Sequence, residues 1–317
     1  MKVLTVIVNY RTPELTCKSI RAVVRACAAV RGETKIVVVD NDSGDGSFEK
    51  IRQTVEREGW AGRVEVRASE RNGGFGYGNN FAMRPALASA KPPDYVYLLN
   101  PDAFPAEDAL AKLVSYMDAN PRLGIAGSYI HGVDGRPHYT AFRFPSVLSE
   151  FEHAMRLALL RRLLRRYILP LPIPTQACAV DWVAGASMLL RREMLADVGL
   201  FDERFFLYYE ETDLCQRAIR AHWPTVYLPE SKVAHVGGAS TGMQDPRRRR
   251  PAYWFDSRRR YFINNHGHIY LWLANAAQIF GGIFLRMRFL LQGRLRTHPL
   301  PERYLRDFVS HMLRRAA

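Results

Sequence analysis

Four places in this sequence carry side chains able to do chemistry. Residues 207–217 read LYYEETDLCQR and set Glu210, Glu211 and Asp213 within four positions of one another. Carboxylates that close repel when ionised, so at least one must hold its proton more tightly than usual, and a carboxylate tuned in that way can act as a general base. Asn100-Pro101-Asp102 follows directly on the apolar run YVYLL. Asp102 therefore stands at a strand end, where a hard cation bridging two phosphates needs few protein oxygens. Residues 71–80, RNGGFGYGNN, have Gly at 73, 74, 76 and 78, a loop through which backbone can approach a bound group before a helix expected to begin near Asn80. No Lys and hydroxyl residue follow as in a P-loop, and the glycine spacing is not that of a dinucleotide fingerprint. His235, in VAHVGG, follows a strand-like piece at 225–228. Taken singly, each has an ordinary explanation as a turn, an exposed acidic face or a hydrogen-bonded core histidine.

These groups need elements that bring them together. A β-branched run at 3–8, a helical spacing of apolar residues at 12–30, a second strand signal at 35–39 and a helix at 47–58 open the chain. A short strand at 64–67, a helix at 81–90 and a strand at 95–99 continue it. Such alternation marks an open α/β sheet, in which ligands sit beyond the carboxyl ends of the strands. The loops at 9–10, 40–46, 71–80 and 100–102 all follow strands, so one crevice can collect them. After residue 150 the alternation weakens, leaving a basic amphipathic stretch at 151–168, an apolar strand-like piece at 183–190 and the acidic cluster.

With 317 residues, 48% of them hydrophobic, the chain can bury a sizeable core and is no disordered tail. The formal net charge is +14, and of the 45 basic residues 38 are Arg, whose forked donors suit phosphate. Cys17, Cys27, Cys178 and Cys215 form no C-x-x-C pair, so neither zinc nor a disulfide framework is expected. The apolar run at the N-terminus stops at Asn9, too short for a secretory segment, and reads as a first strand.

Together VIVNYRTPEL, VVVDNDSGDGS, ERNGGFGYGNN, YLLNPDAFP, GASMLLRREML, VGLFDERFFLYYEETDLCQRA and AHVGG resemble the glycosyltransferases of family 2, in the bacterial rhamnosyltransferase-like branch that acts on lipid-linked glycan precursors. The resemblance covers about residues 1–265. It implies an α/β GT-A nucleotide-sugar-binding fold and inverting transfer. By the same resemblance Asp40, or else Asp42, reads the nucleotide base, Tyr10 and Arg71 line the nucleoside pocket, and Asn72, Gly74, Asn79, Asn100 and Asp102 complete the nucleotide-sugar site. Asp102 matches the last acid of the family's D-x-D, but Asn100 stands where the first would be. His235 matches a later metal or diphosphate contact, so Asp102 and His235 are the expected ligands of Mg²⁺ or Mn²⁺. Glu211 falls at the catalytic base, with Glu210-Glu211 in place of Glu-Asp. Trp182, Gly185, Glu210, Asp213, Arg217 and Arg249 are expected on the acceptor and diphosphate side.

Direct displacement agrees with this set, since it needs one base for the acceptor hydroxyl and positive charge for the leaving diphosphate. The basic run at 246–251 with Arg258, Arg259 and Arg260 is expected to face phosphate. On one helix over 151–168, Arg161, Arg162, Arg165 and Arg166 would fall opposite Leu157, Leu160, Leu163, Leu164, Tyr167 and Ile168. Residues 269–285 are apolar but interrupted by Asn275, Gln278 and a Gly pair, and are expected to lie along the cytoplasmic leaflet rather than span it. The expected organisation is a catalytic domain over 1–265, with a nucleotide-binding half at 1–102 and an acceptor half at 103–265, followed by basic membrane-associated helices over 266–317. The expected partners are a nucleotide sugar, dTDP-L-rhamnose by resemblance, a polyprenyl-diphosphate glycolipid, and the inner face of the cell membrane. A UDP-sugar with a polysaccharide acceptor is the nearest alternative. A nucleic-acid-binding module would suit the charge, but the chain carries no helix-turn-helix, zinc-finger or RNP signature.

Overall fold

The computed structural model describes residues 2–238, 247–293, 301 and 303–314. The first half runs β1 (Lys2–Asn9), α1 (Pro13–Ala28), β2 (Glu33–Asp40), α2 (Ser47–Arg57), β3 (Val64–Ala68), α3 (Gly74–Leu87), β4 (Tyr95–Leu99), β5 (Ala103–Pro105), α4 (Ala109–Ala119) and β6 (Ile125–His131). It continues with β7 (Ala141–Phe142), α5 (Val147–Met155), α6 (Ala158–Leu163), β8 (Cys178–Val180), β9 (Trp182–Val183), β10 (Ser187–Arg191), α7 (Arg192–Val198), α8 (Glu210–Arg220), β11 (Thr225–His235), α9 (Ala252–Leu291) and α10 (Tyr304–Leu313).

The α/β expectation holds. Strands β3, β2, β1 and β4 lie side by side and parallel. β1, β2 and β4 carry apolar runs because helices cover both sheet faces, whereas the edge strand β3 alternates Val64 and Val66 with Glu65 and Arg67. Alternate residues divide accordingly: Ile7, Val38 and Tyr97 pack with Ile20 of α1, Ile51 of α2 and Leu113 of α4. Val6, Val37 and Leu98 pack on the other side with Met83 of α3, Met194 of α7 and Leu214 of α8. Parallel pairing also puts the ends of all four strands, and hence the loops after Asn9, Asp40, Ala68 and Leu99, on one edge.

Beyond β4 the sheet becomes mixed. β10 runs antiparallel to β4 and β6, and β11 lies parallel to β6 and antiparallel to β5 and β8. The β5–β11 register sets Ala103 opposite His235, which places Asp102 beside that histidine across 133 residues of chain.

Three local expectations are corrected. The glycine-rich segment is not a loop before a helix near Asn80; it is the first turns of α3, which starts at Gly74. Glycine is a poor helix former, but here tertiary packing needs the missing side chains: a Cβ at Gly78 would lie 2.6 Å from Val8 Cγ1, and one at Gly76 3.0 Å from Phe201 Cβ. The piece at 183–190 is two strands, β9 and β10, separated at Ala184, Gly185 and Ala186. The stretch at 151–168 is not one helix. α5 ends where Arg156 adopts φ 47° and ψ 46°, and α6 ends at Leu163, so Arg161 and Arg162 lie on a different turn from Arg165 and Arg166.

The basic residues after 246 are also placed otherwise than expected. Pro246 lies outside the described residues. Arg258 does not face phosphate; it is 2% exposed and donates to Glu150 Oε2 from Nε and Nη2 at 3.1 and 2.9 Å and to Asn275 Oδ1 at 2.7 Å. Phe262 and Phe308 flank its guanidinium at 4.8 and 5.0 Å. A desolvated guanidinium persists only when paired in this way, so Arg258 clamps α5, both arms of α9, and α10. The arms of α9 meet at a kink at Gly267, φ 82°.

Candidate active site

The loops on the strand-end edge enclose a cavity of about 340 Å³ lined by Val8, Tyr10, Asn41, Asn72, Gly74, Phe75, Asn100, Pro101, Asp102, Phe206, Leu207, Gly238 and Tyr253. Of the residues expected from sequence, Tyr10, Asn72, Gly74, Asn100 and Asp102 are in its wall. Asp40 is not. Its carboxylate is turned under the loop, where Oδ1 accepts from Asn9 Nδ2 and Ser43 Oγ, both at 2.6 Å, and Oδ2 from the Ser43 N–H at 3.3 Å. Asp42 is exposed, with φ 56°. The residue between them lines the cavity instead: Asn41 Nδ2 donates to Asn72 Oδ1 at 3.0 Å and to the Gly74 carbonyl at 3.1 Å. Arg71 is exposed and stacks over Tyr77 at 4.9 Å. Asn79 is buried and donates to the Phe75 carbonyl at 2.9 Å, bracing α3 from inside.

At the middle of the crevice, Asp102 Oδ1 lies 3.1 Å from His235 Nε2, and Asp102 Oδ2 accepts from the Gly237 N–H at 3.1 Å. Asn100 Nδ2 stands 3.4 Å from the same histidine nitrogen. One carboxylate, one imidazole and one amide are too few to enclose a cation, and among the described residues no three His, Cys, Asp or Glu side chains form a metal site. The donor set does fit a divalent cation completed by diphosphate oxygens, because a hard oxygen and an imidazole nitrogen already converge on one point at the cavity wall.

Glu210 and Glu211 begin α8 immediately after Tyr208 and Tyr209, whose φ values of 71° and 69° are strained for residues with a Cβ. Both carboxylates are buried, and Oε2 of each has no hydrogen-bond partner. Burial pushes both above the ordinary carboxylate range, Glu210 further because Glu211 is a like charge beside it. Glu211 is one side chain away from the cavity: a Cβ at Gly185 would sit 3.1 Å from the Phe75 ring and 3.9 Å from Glu211 Oε1. The loop carrying these acids is docked by the Phe75 N–H, which donates to the Phe206 carbonyl at 3.1 Å.

Other residues expected on the acceptor side serve the framework. Asp213 accepts from Arg217 and from Asn265 at 2.8 Å, and Arg217 also donates to the carbonyls of Val198 and Leu200. Both are consumed in fixing α8, as expected for buried charge that must be paired. Trp182 stacks on Phe142 at 4.1 Å in the β7–β9 ribbon, with its indole N–H donating to the Arg143 carbonyl at 2.9 Å. Arg249 binds Asp307 of α10 through two donors at 2.6 and 2.8 Å and lines a separate cleft with Phe255, His311 and Arg314. Sequence reasoning missed Asn41, Phe75, Phe206, Leu207, Gly238 and Tyr253. Asn41 sat between two aspartates and Phe206 beside the acidic cluster, but nothing in the sequence pointed to Tyr253.

The profile of the family described as "Glycosyltransferase like family 2" matches residues 2–256. The chain is 32% identical over 159 residues to an N-acetylglucosaminyl-diphospho-decaprenol L-rhamnosyltransferase of Mycobacterium tuberculosis, covering 48% of this chain and 50% of that one. It is 29% identical over 166 residues to Rhamnosyltransferase WbbL of Escherichia coli K12, covering 51% and 60%. The matched region thus spans about half the length of these curated relatives. Among solved structures, a mannosyltransferase from Pyrobaculum calidifontis in complex with GDP-Man and Mn²⁺ superposes with a TM-score of 0.57 at 15% identity, over 98% of this chain and 87% of that one. GalNAc-T7 with UDP, GalNAc and Mn²⁺ gives 0.53 at 18% identity, over 74% and 44%. At those identities the likeness is one of fold, and the fold is GT-A.

Proposed function

This chain belongs to glycosyltransferase family 2, and from that premise we propose that it transfers L-rhamnose, with inversion, from dTDP-L-rhamnose to a sugar on a polyprenyl diphosphate in surface-polysaccharide assembly. The observation that carries the reading is that Asp102, 3.1 Å from His235, lines the crevice, while Glu211, buried with one carboxylate oxygen unpartnered, lies beside Gly185, which also borders the cavity residue Phe75. The names of the bacterial relatives support the donor and the lipid-linked acceptor. Residues up to 265 form the catalytic unit in this reading and 266–317 the membrane-associated part, some of it outside the described residues.

In the reaction the acceptor hydroxyl gives its proton to Glu211 as its oxygen bonds to the anomeric carbon, and the bond from that carbon to the diphosphate oxygen breaks. Burial strengthens Glu211 as a base by raising its proton affinity. Asn41 and Asn72 hold the nucleoside end, and Asp102 with His235 orients the diphosphate. A Mg²⁺ or Mn²⁺ ion bound there would neutralise charge on the leaving oxygens. Chelator is therefore expected to abolish transfer, and Asp102→Asn to raise the Mn²⁺ concentration for half-maximal rate by at least about tenfold. Full activity in excess chelator would refute the metal.

The deciding experiment is a screen of nucleotide sugars for thermal stabilisation, since a ligand that binds the native state raises Tm by mass action, followed by transfer assays with polyprenyl-diphosphate acceptors. Stabilisation by UDP-sugars alone, with transfer to a soluble polysaccharide, would replace this reading by the UDP-sugar alternative.

We also place the enzyme on the cytoplasmic membrane surface. α9 is long and apolar enough to cross a membrane by length and composition, but it has two unlike sides. Leu271, Ala274, Asn275, Gln278 and Leu285 are buried, whereas Ile269, Trp272, Phe280, Ile283 and Met287 are at least half exposed. Leu159 and Leu163 of α6 are 81% and 77% exposed beside Arg161 and Arg162. An apolar stripe flanked by arginines fits an anionic leaflet, which favours each nearby Arg by about 1 kcal/mol. Changing Trp272 and Phe280 to Ser should release the protein from phosphatidylglycerol vesicles while transfer to a short soluble acceptor persists. Unchanged sedimentation with vesicles would remove α9 from the interface.

A further inference from the structure

The crevice is polar along only part of its length. Asn41, Asn72, Asn100 and Asp102 supply its hydrogen-bonding side chains; Val8, Tyr10 and Pro101 also line it, and Phe75, Phe206, Leu207 and Tyr253 add a further apolar and aromatic stretch. Tyr253 comes from the first turn of α9, outside the sheet that carries the rest. Its ring lies 5.2 Å from that of Phe206 and stacks with that of Tyr208 at 6.3 Å. Burial, with Tyr208 beside it, raises the affinity of its hydroxyl for the proton, so the phenol is neutral and only its ring face is apolar.

The wall is held rigidly. Ser257, one turn beyond Tyr253, donates to the Leu207 carbonyl at 3.0 Å and so stitches α9 to the loop bearing Phe206. That loop is fixed in turn by Gly74, where a Cβ would lie 1.7 Å from the Phe206 carbonyl oxygen. The Arg258–Glu150 pair anchors the same arm of α9 from its other side. The ring faces favour C–H groups over hydroxyls, which find no hydrogen-bond partner on the face itself.

We propose that Tyr253, backed by Phe206 and Tyr208, reads the sugar of the donor and favours one that presents an apolar face, a 6-deoxyhexose whose methyl group replaces a hydroxymethyl. This rests on the cavity being a nucleotide-sugar site. Such a wall discriminates by no more than about a hundredfold, because an apolar surface rejects an added hydroxyl only weakly. The nucleoside diphosphate, held by the polar end, makes no use of it.

The test is equilibrium binding of dTDP, dTDP-L-rhamnose and dTDP-glucose to the full chain and to Tyr253→Ala, Tyr253→Phe and Phe206→Ala. Tyr253→Ala should weaken dTDP-L-rhamnose by about three- to tenfold, the size of one aromatic contact, leave dTDP within about twofold and narrow the preference for rhamnose over glucose. Tyr253→Phe should recover most of the loss. Phe206→Ala should narrow the same preference, and supplies the readout should Tyr253→Ala fail to fold. Equal weakening of dTDP and its sugars, or an unchanged preference in both alanine variants, overturns the proposal. If the parent binds UDP and UDP-sugars instead, the rhamnose donor is wrong, and the same comparison of nucleotide with nucleotide sugar still decides whether Tyr253 reads the sugar.

Discussion

Glu211→Gln is expected to lower turnover by about a thousandfold, the middle of the range for loss of a general base, and to leave donor affinity within about twofold. The amide keeps the shape of the side chain in its buried site beside Gly185 but cannot take a proton. Donor binding is spared because the polar cavity residues are elsewhere. Steady-state turnover and equilibrium binding of the donor together check this, and comparable turnover in the variant would remove Glu211 as the base. The pH profile gives a second check. With the proton affinity of Glu211 raised by burial, the active ionised form is lost on acidification while exposed carboxylates are still charged. The acid limb of turnover should therefore lie above the ordinary carboxylate range of about 4. Glu210 is also raised, by burial and by Glu211 beside it; Glu210→Gln is expected to cost far less than Glu211→Gln, and an equal loss would move the base back one residue.

Gly74→Ala should be the most damaging single methyl group in the described structure. Two effects act together: the residue has φ +85°, and the added Cβ would fall 1.7 Å from a backbone oxygen, that of Phe206, which cannot rotate away. The loop bearing Tyr208, Tyr209 and leading into Glu210 and Glu211 must then shift, at a cost of about 3 kcal/mol, and Tm should fall by about 4–6 °C. Donor binding falls with it, since Gly74 lines the cavity. Gly62→Ala, where a Cβ meets nothing within 4 Å and φ is not positive, is the control and should change Tm little. A thermal melt of both variants decides; equal small shifts would show that the loop yields without cost and that its strained tyrosines are not held by this contact.

Much of the sheet was legible because burial on both faces leaves a direct mark. The strand signals at 3–8, 35–39, 64–67 and 95–99 became β1, β2, β3 and β4 with ends moved by at most two residues, and the polar residues ending them fell on one edge because the strands are parallel. The motif order was enough to identify the family resemblance, and through it to single out Asp102, His235 and Glu211 as the groups to test. The start of α3 was not legible, because helix propensity argues against Gly74, Gly76 and Gly78 and only their packing on Phe206, Phe201 and Val8 overrides it.

The sequence by itself determined the parallel α/β half, the identities of the chemical groups and the strand ends that carry them. Periodicity records that a face is buried, and composition records that a group can bind or ionise. Neither records which distant segment covers that face or which partner takes that charge. Tertiary structure alone decided that Asp40 turns away from the cavity while Asn41 faces it, that Arg217, Arg249 and Arg258 are paired with carboxylates or carbonyls of neighbouring elements, and that Tyr253 of α9 joins the wall of the crevice. An arginine pairs with whatever carboxylate or carbonyl the fold brings within 3 Å, and that proximity is set by the packing of elements far apart in the chain.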